Sequence, residues 1–194
     1  MLTAALVWLA LTPDEVAAPP ATAAQPVREA SIREAHPLVL RVDIGWNTLA
    51  GLGLGASWAA TPHLIAEVGA GFVLSGPKAG ARVRWNLTTG DLTPFIAIGG
   101  IWSAGRGAPQ TVNQGKDDEF SFHVGQAAYV QGTAGLDYQD GDRVSYRFEV
   151  GWAQALGHRD LHVVAGTPTK ADWNEVRFIS GGGPVLGGSV GYAF

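Results

Sequence analysis

The chain has 194 residues, 46% of them hydrophobic and 15% charged, with a formal net charge of −4, a pI near 5.7 and a mean hydropathy of +0.10. That length accommodates one domain, and the acidic balance leaves no electrostatic footprint for nucleic acid. Cysteine is absent, which excludes disulfide frameworks and thiolate metal sites, and no apolar run reaches the ~18 residues that a membrane-spanning helix requires.

Leu2 to Leu11 form an apolar stretch, followed by an Ala/Pro-rich segment containing Ala21-Thr22-Ala23-Ala24. This order predicts an export signal over residues 1–24, with small residues at its cleavage site. No Lys or Arg precedes the apolar stretch, and the competing reading is an N-terminal helix packed on a soluble domain. Residues 25–37 are polar and charged and close on Pro37, as expected of a periplasmic lead-in.

From Leu38 onward the period is two, which predicts strands with unlike faces. Leu38, Leu40, Val42, Ile44 and Trp46 share one face, opposite Val39, Arg41, Asp43 and Gly45. Leu52 to Trp58 alternate with glycines, and Leu64 to Phe72 alternate with Ile65, Glu67, Gly69 and Gly71. A fourth run sets Ala79, Ala81, Val83 and Trp85 against Gly80, Arg82 and Arg84. The fifth, Phe95 to Ser103, is apolar on both faces, so periodicity does not assign its phase. The sixth places Val130 to Tyr138 against Tyr129 to Asp137, and the seventh sets Val144, Tyr146, Phe148, Val150 and Trp152 against Ser145, Arg147 and Glu149. The last carries Leu186, Gly188, Val190, Tyr192 and Phe194 on one face, with an extension back toward Val176 across Gly181 to Gly183. These runs predict about eight strands of the ~9 to 11 residues that a tilted membrane strand needs.

A soluble sandwich also alternates, so aromatic placement decides between the two. With direction reversing at each turn, Trp58, Trp85, Phe95, Tyr138, Tyr146, Tyr192 and Phe194 collect at one rim and Trp46, Phe72, Trp102 and Trp152 at the other. Two belts flanking an aliphatic band are expected of a lipid-facing exterior. Phe95 and Trp102 differ in parity, which requires a bulge or one inward ring. Tight turns at Thr61 to His63, Thr88 to Asp91 and Gln139 to Asp142 fall on the periplasmic side. The long connections, Ala104 to His123 and Leu156 to Asn174, fall on the outer side, where the connections near Thr48-Leu49 and Ser75 to Pro77 are short.

The enclosed faces carry Arg41, Arg82, Arg84 and Arg147 against Asp43, Glu67, Asp137 and Glu149. An interior just wide enough for side chains holds such charges only as pairs, so the first expectation is a plug and the second a polar conduit. Gly51, Gly53, Gly55, Gly69 and Gly71 are expected to leave room for the arginines. Ser121 and His123, near the start of the sixth strand, with Asp117, Asp118 or Glu119, form a nucleophile–base–acid candidate, for which a solvated loop edge is the competing reading. His158, Asp160 and His162 alternate in the second long connection as a divalent-metal candidate that specifies no further ligands, and Lys116 to Glu119 reads as an exposed tip. Gly105 and Gly107 precede no helix, so they form no phosphate cradle. No catalytic, cofactor or metal site is assigned.

The chain closes with Val190-Gly191-Tyr192-Ala193-Phe194. Alternation ending on a phenylalanine resembles the closing strand of bacterial outer-membrane barrels, and from Leu38 to Phe194 the chain resembles the OmpA/OmpX-type family of small eight-stranded barrels. The resemblance implies a closed antiparallel up-and-down transmembrane barrel over residues 38–194, located as a monomer in a Gram-negative outer membrane. It implies outer-membrane lipid and lipopolysaccharide as surroundings, and the barrel-assembly machinery as a partner reading Val190, Tyr192 and Phe194. A structural or surface-contact role follows, with specificity in the two long outer loops. The alternatives are a narrow pore or small-solute channel, a lipid-modifying enzyme, and a secreted soluble sandwich or lipocalin-like barrel.

Overall fold

The computed structural model describes residues 31–73, 75–112, 119–139, 141, 143–157, 161–180 and 182–194. The expected export signal over 1–24, the acidic tip at Lys116, Asp117 and Asp118, and His158 and Asp160 lie outside these residues. In chain order the elements are α1 (Ile32–Ala35), β1 (Leu38–Trp46), β2 (Leu52–Ala59), β3 (Leu64–Val73), β4 (Gly76–Asn86), β5 (Leu92–Ser103), β6 (Arg106–Val112) and β7 (Phe120–Val124). They continue with β8 (Ala127–Gln139), β9 (Val144–Leu156), β10 (Leu161–Gly166), α2 (Lys170–Ser180) and β11 (Gly182–Ala193).

Eight strands close into an up-and-down barrel in the order β1-β11-β9-β8-β5-β4-β3-β2, every neighbour antiparallel. Side chains of successive residues point to opposite faces of a strand, so the twofold sequence pattern becomes an inside and an outside. In β9, Phe148 and Val150 are 53% and 45% exposed, whereas Arg147 and Glu149 are 7% and 5% exposed. The apolar face is the exterior and the ionic face is the lumen.

Three short turns and α1 lie at one end of the barrel, the turn end. The connections β1–β2, β3–β4, β5–β8 and β9–β11 lie at the other, the loop end. Outward rings gather at both: Trp58, Trp85, Tyr138, Tyr146, Tyr192 and Phe194 at the turn end, Trp46, Phe72, Trp102 and Trp152 at the loop end. Tyr138 lies beside Tyr146 across a strand pair with ring centroids 6.4 Å apart. Phe95 leaves the expected belt. The pairing of β5 with β4 and β8 runs without a bulge, so its even positions face outward and Phe95 points into the lumen, 1% exposed.

The described parts of the two long connections are structured. β10, β7 and β6 form a separate three-stranded sheet in that order, and Phe120, Phe122, Val124 and Val176 make its small apolar core, joined by Val112, Leu161 and Trp173. Ser121 and His123 therefore stand on a strand of this outer sheet and not at the start of a barrel stave. Val176 does not extend the last strand either. It belongs to α2, which Thr169 opens by accepting from Asp172 N at 3.3 Å while its own N–H donates to the Asp172 carboxylate at 3.2 Å, a reciprocal arrangement that starts a helix.

The short β1–β2 connection folds inward. Asn47, at φ 54, donates its amide to Pro184 O at 3.1 Å, and Thr48, Leu49 and Ala50 are buried in the barrel mouth. Leu49 packs on Ile101 and Tyr129. A Cβ on Gly80 would sit 2.7 Å from both Leu49 Cδ1 and Gly100 O, so this glycine makes the seat. Gly80→Val should therefore destabilise the barrel by about 1–3 kcal/mol through overpacking, and Leu49→Ala by about 2–5 kcal/mol through the lost apolar contact and the cavity left behind. Urea unfolding of detergent-folded protein measures both. The double variant should lose less than the sum, because the two changes act on one contact.

A charged lumen as the candidate functional site

Parity alone brings the charged residues together. Glu67 is an inward position of β3, 1% exposed, and its carboxylate meets four guanidinium groups. Arg82 Nε donates to Oε2 at 2.5 Å, Arg147 Nη2 lies 2.8 Å from Oε1, Arg84 Nε lies 3.4 Å from Oε1, and Arg41 Nη2 lies 3.6 Å from Oε2. These arginines come from β1, β4 and β9, so one carboxylate ties β3 to three other strands. Charge-assisted contacts of this kind are about twice as strong as neutral ones.

Three further carboxylates complete the cluster. Asp137 lies 3.1 Å from Arg84 and 3.6 Å from Arg147, Glu149 lies 2.6 Å from Arg82, and Asp43 lies 3.1 Å from Arg41. Arg82 also donates to Thr133 at 3.4 Å. Beneath Arg84 and Arg147 lies the Phe95 ring, its centroid 5.2 and 5.6 Å from their guanidinium carbons, where the electron-rich face adds to the attraction. A Cβ on Gly135 would come within 2.8 Å of that ring, so the glycine admits it. The Gly55 Cα faces Asp43 and Arg41, but Gly69 faces Ala50 and Leu49, and Gly71 the 50–52 backbone. Much of the space expected for arginines is thus taken by the inward turn.

Two buried cations escaped the sequence reading. Arg33, on α1 within the expected lead-in, enters the turn end, where its Nη2 lies 3.2 Å from Asp137 and its Nη1 donates to Gly90 O at 2.7 Å. A capping box between Ser31 and Glu34 fixes this one-turn helix, and Ser31-Ile32-Arg33-Glu34 is the sequence sign of one. Lys78, 6% exposed, shares the inward parity of Arg82 and Arg84 and became visible once β4 extended back to Gly76. The described buried charges are then Arg33, Arg41, Lys78, Arg82, Arg84 and Arg147 against Asp43, Glu67, Asp137 and Glu149, a surplus of cations.

On the outer sheet, the Ser121 hydroxyl lies 2.8 Å from the Thr111 hydroxyl, and the His123 ring packs against His162 with centroids 5.3 Å apart. Ser121 and His123 share one face of β7, with His162 paired directly opposite His123. The described part of the metal candidate is His162 alone, and no group of three or more His, Asp or Glu side chains within metal-binding reach occurs among the described residues.

No protein-family model and no curated protein matches the chain. Among solved structures, the N-terminal β-barrel domain of Pseudomonas aeruginosa OprF superposes with a TM-score of 0.51 at 13% identity, covering 82% of this chain and 98% of that one. Acinetobacter baumannii CarO aligns at 14% identity with a TM-score of 0.38, covering 82% of this chain and 99% of that one. The fold is a closed eight-stranded antiparallel barrel like that of the OprF domain.

Removing Glu67 leaves four arginines facing one another around a missing anion. Glu67→Ala should lower stability by about 3–5 kcal/mol, the usual consequence of breaking a buried ionic cluster at one partner. Asp43→Asn, which loses a single arginine contact, should lower it by less. The midpoints of urea unfolding in detergent rank the two.

Proposed function

We propose that this chain is an integral outer-membrane protein with a structural or surface-contact role, its lumen plugged by the paired charges and its loop end turned outward. The observation that carries this reading is the inversion of polarity: an aliphatic exterior between two ring belts, wrapped around ion pairs. Water would disfavour so large an apolar surface, whereas lipid tails accept it and the headgroup region accepts the rings at its borders.

The plug is favoured over a narrow pore by what fills the bore. Eight strands leave an interior about wide enough for side chains, and here Arg33 occupies the turn end, the arginine–carboxylate cluster the middle, and Leu49 with Ile101 and Tyr129 the loop end. Surface contact then falls to the sheet of β6, β7 and β10, which stands on its own apolar core outside the barrel. Ser121 and His123 serve this sheet as cross-strand partners, and no catalytic role is assigned to them. Lipopolysaccharide surrounds the loop end in this reading. The assembly machinery reads β11 through Val190, Tyr192 and Phe194, and residues 1–24 direct export.

In planar bilayers the inserted protein should give no conductance steps; steps whose size changes in Arg82→Ala or Glu67→Ala would establish the pore instead. Val150→Arg, at mid-height of the exterior, should destabilise the vesicle-folded barrel by about 2–4 kcal/mol. Replacing residues 106–124 with a short Gly/Ser linker should leave heat-modifiable electrophoretic mobility intact and abolish adhesion to surfaces. Adhesion that survives the replacement places the contact elsewhere.

A further inference from the structure

The barrel wall has a notch. Pairing of β2 with β1 reaches no further toward the loop end than Asp43↔Gly53, yet β1 continues along β11 to Trp46↔Leu186 and β3 continues along β4 to Val73↔Gly76. The chain that would have carried the wall upward, residues 47–51, has turned into the lumen instead. Outside, this leaves a cleft of about 400 Å³. Ile44, Trp46, Leu52 and Phe72, all outward-facing and exposed, form its apolar walls, and Arg106, beyond the end of β5, stands at its upper edge. Arg106 is exposed, and among the described residues it makes no ion pair with a carboxylate and is the only charged group lining the cleft.

We propose that this notch holds one phosphorylated lipid of the outer leaflet, of the lipid A type, with an acyl chain in the cleft and a phosphate on Arg106. The inference rests on the reading above that the exterior faces lipid and the loop end faces outward. The vertical order of the site matches such a molecule. Its apolar slot is within the size range of small-ligand pockets, the Trp46 ring marks the headgroup border, and above it a guanidinium offers the fork geometry that pairs with phosphate oxygens. A lipid without phosphate would fill the slot and leave the guanidinium without its anion, and a zwitterionic phospholipid would offer only a singly charged phosphodiester already paired with its own ammonium, a poorer partner than a phosphomonoester.

Native mass spectrometry of the full chain, folded in detergent and mixed with lipid A, reads the retained lipid directly. One lipid A per chain should persist, and Arg106→Gln should lower retention about tenfold, the effect of losing one charge-assisted contact. Dephosphorylated lipid A should bind the unaltered chain as weakly as lipid A binds R106Q, and R106Q should weaken it no further. Leu52→Trp, which fills the slot, should also reduce retention while heat-modifiable mobility shows the barrel intact. Equal retention by R106Q, or equal retention of dephosphorylated lipid A or phosphatidylethanolamine, overturns the proposal in favour of a nonspecific lipid coat. A detergent-requiring, folded barrel that retains no lipid A overturns this inference alone; a chain that stays dispersed without detergent overturns the membrane reading with it.

Discussion

Glu67 ties the barrel together across its lumen. Its carboxylate is shared by arginines from β1, β4 and β9, so it acts across the lumen where backbone ladders act only between neighbours. In a poorly polarisable interior each guanidinium needs an anion close by, and the four arginines repel one another unless that anion is in place. The requirement reaches back to register. A one-residue slip of β3 would move Glu67 to the exterior and bring Val68 inward, exchanging an ion-paired carboxylate for two misplaced groups at once.

Apolar burial plays an unusual part here. Over most of the barrel's height the residues that would form a core in a water-soluble protein are on the outside, and the interior is held by ion pairs and polar contacts. Conventional apolar packing survives at the loop end in two small clusters: Leu49 with Ile101 and Tyr129 inside the mouth, and the phenylalanines of β7 with Val176 beneath the outer sheet. The first stoppers the bore. The second lets the outer sheet hold its shape with little help from the staves below, since α2 supplies part of its cover.

Strand parity was the legible part of the sequence, and it was legible because a period of two has one phase per strand. Arg147 and Glu149 could only share the side opposite Phe148 and Val150, and seven such assignments place the charges around one axis. Parity failed where a strand was apolar on both faces, so Phe95 was assigned to a rim when its ring lies under two arginines. It is also blind to chain that leaves the wall. Thr48-Leu49-Ala50 read as an ordinary short turn, although two apolar residues ahead of Gly51, at φ 71, are poorly suited to an exposed tip. In the outer segments the signals were present but local: Phe120-Ser121-Phe122-His123-Val124 alternates as cleanly as any stave, and Thr169 with Asp172 marks a helix start. What sequence could not supply was the partner each of these packs against.

The cylinder is completed by joining its two most distant strands, with β1 zipped to β11 from Val39↔Ala193 to Trp46↔Leu186 and Phe194 N donating to Leu38 O at 2.7 Å. Every other junction links staves that are closer in sequence and so carries a smaller loop-closure entropy; this seam carries the largest. Hairpins can therefore ripen early and independently, while sealing waits on an encounter between opposite ends of the folded stretch, a long-range contact of the kind that slows folding. Until then both flanking strands present unpaired backbone edges, the hazard that closure removes.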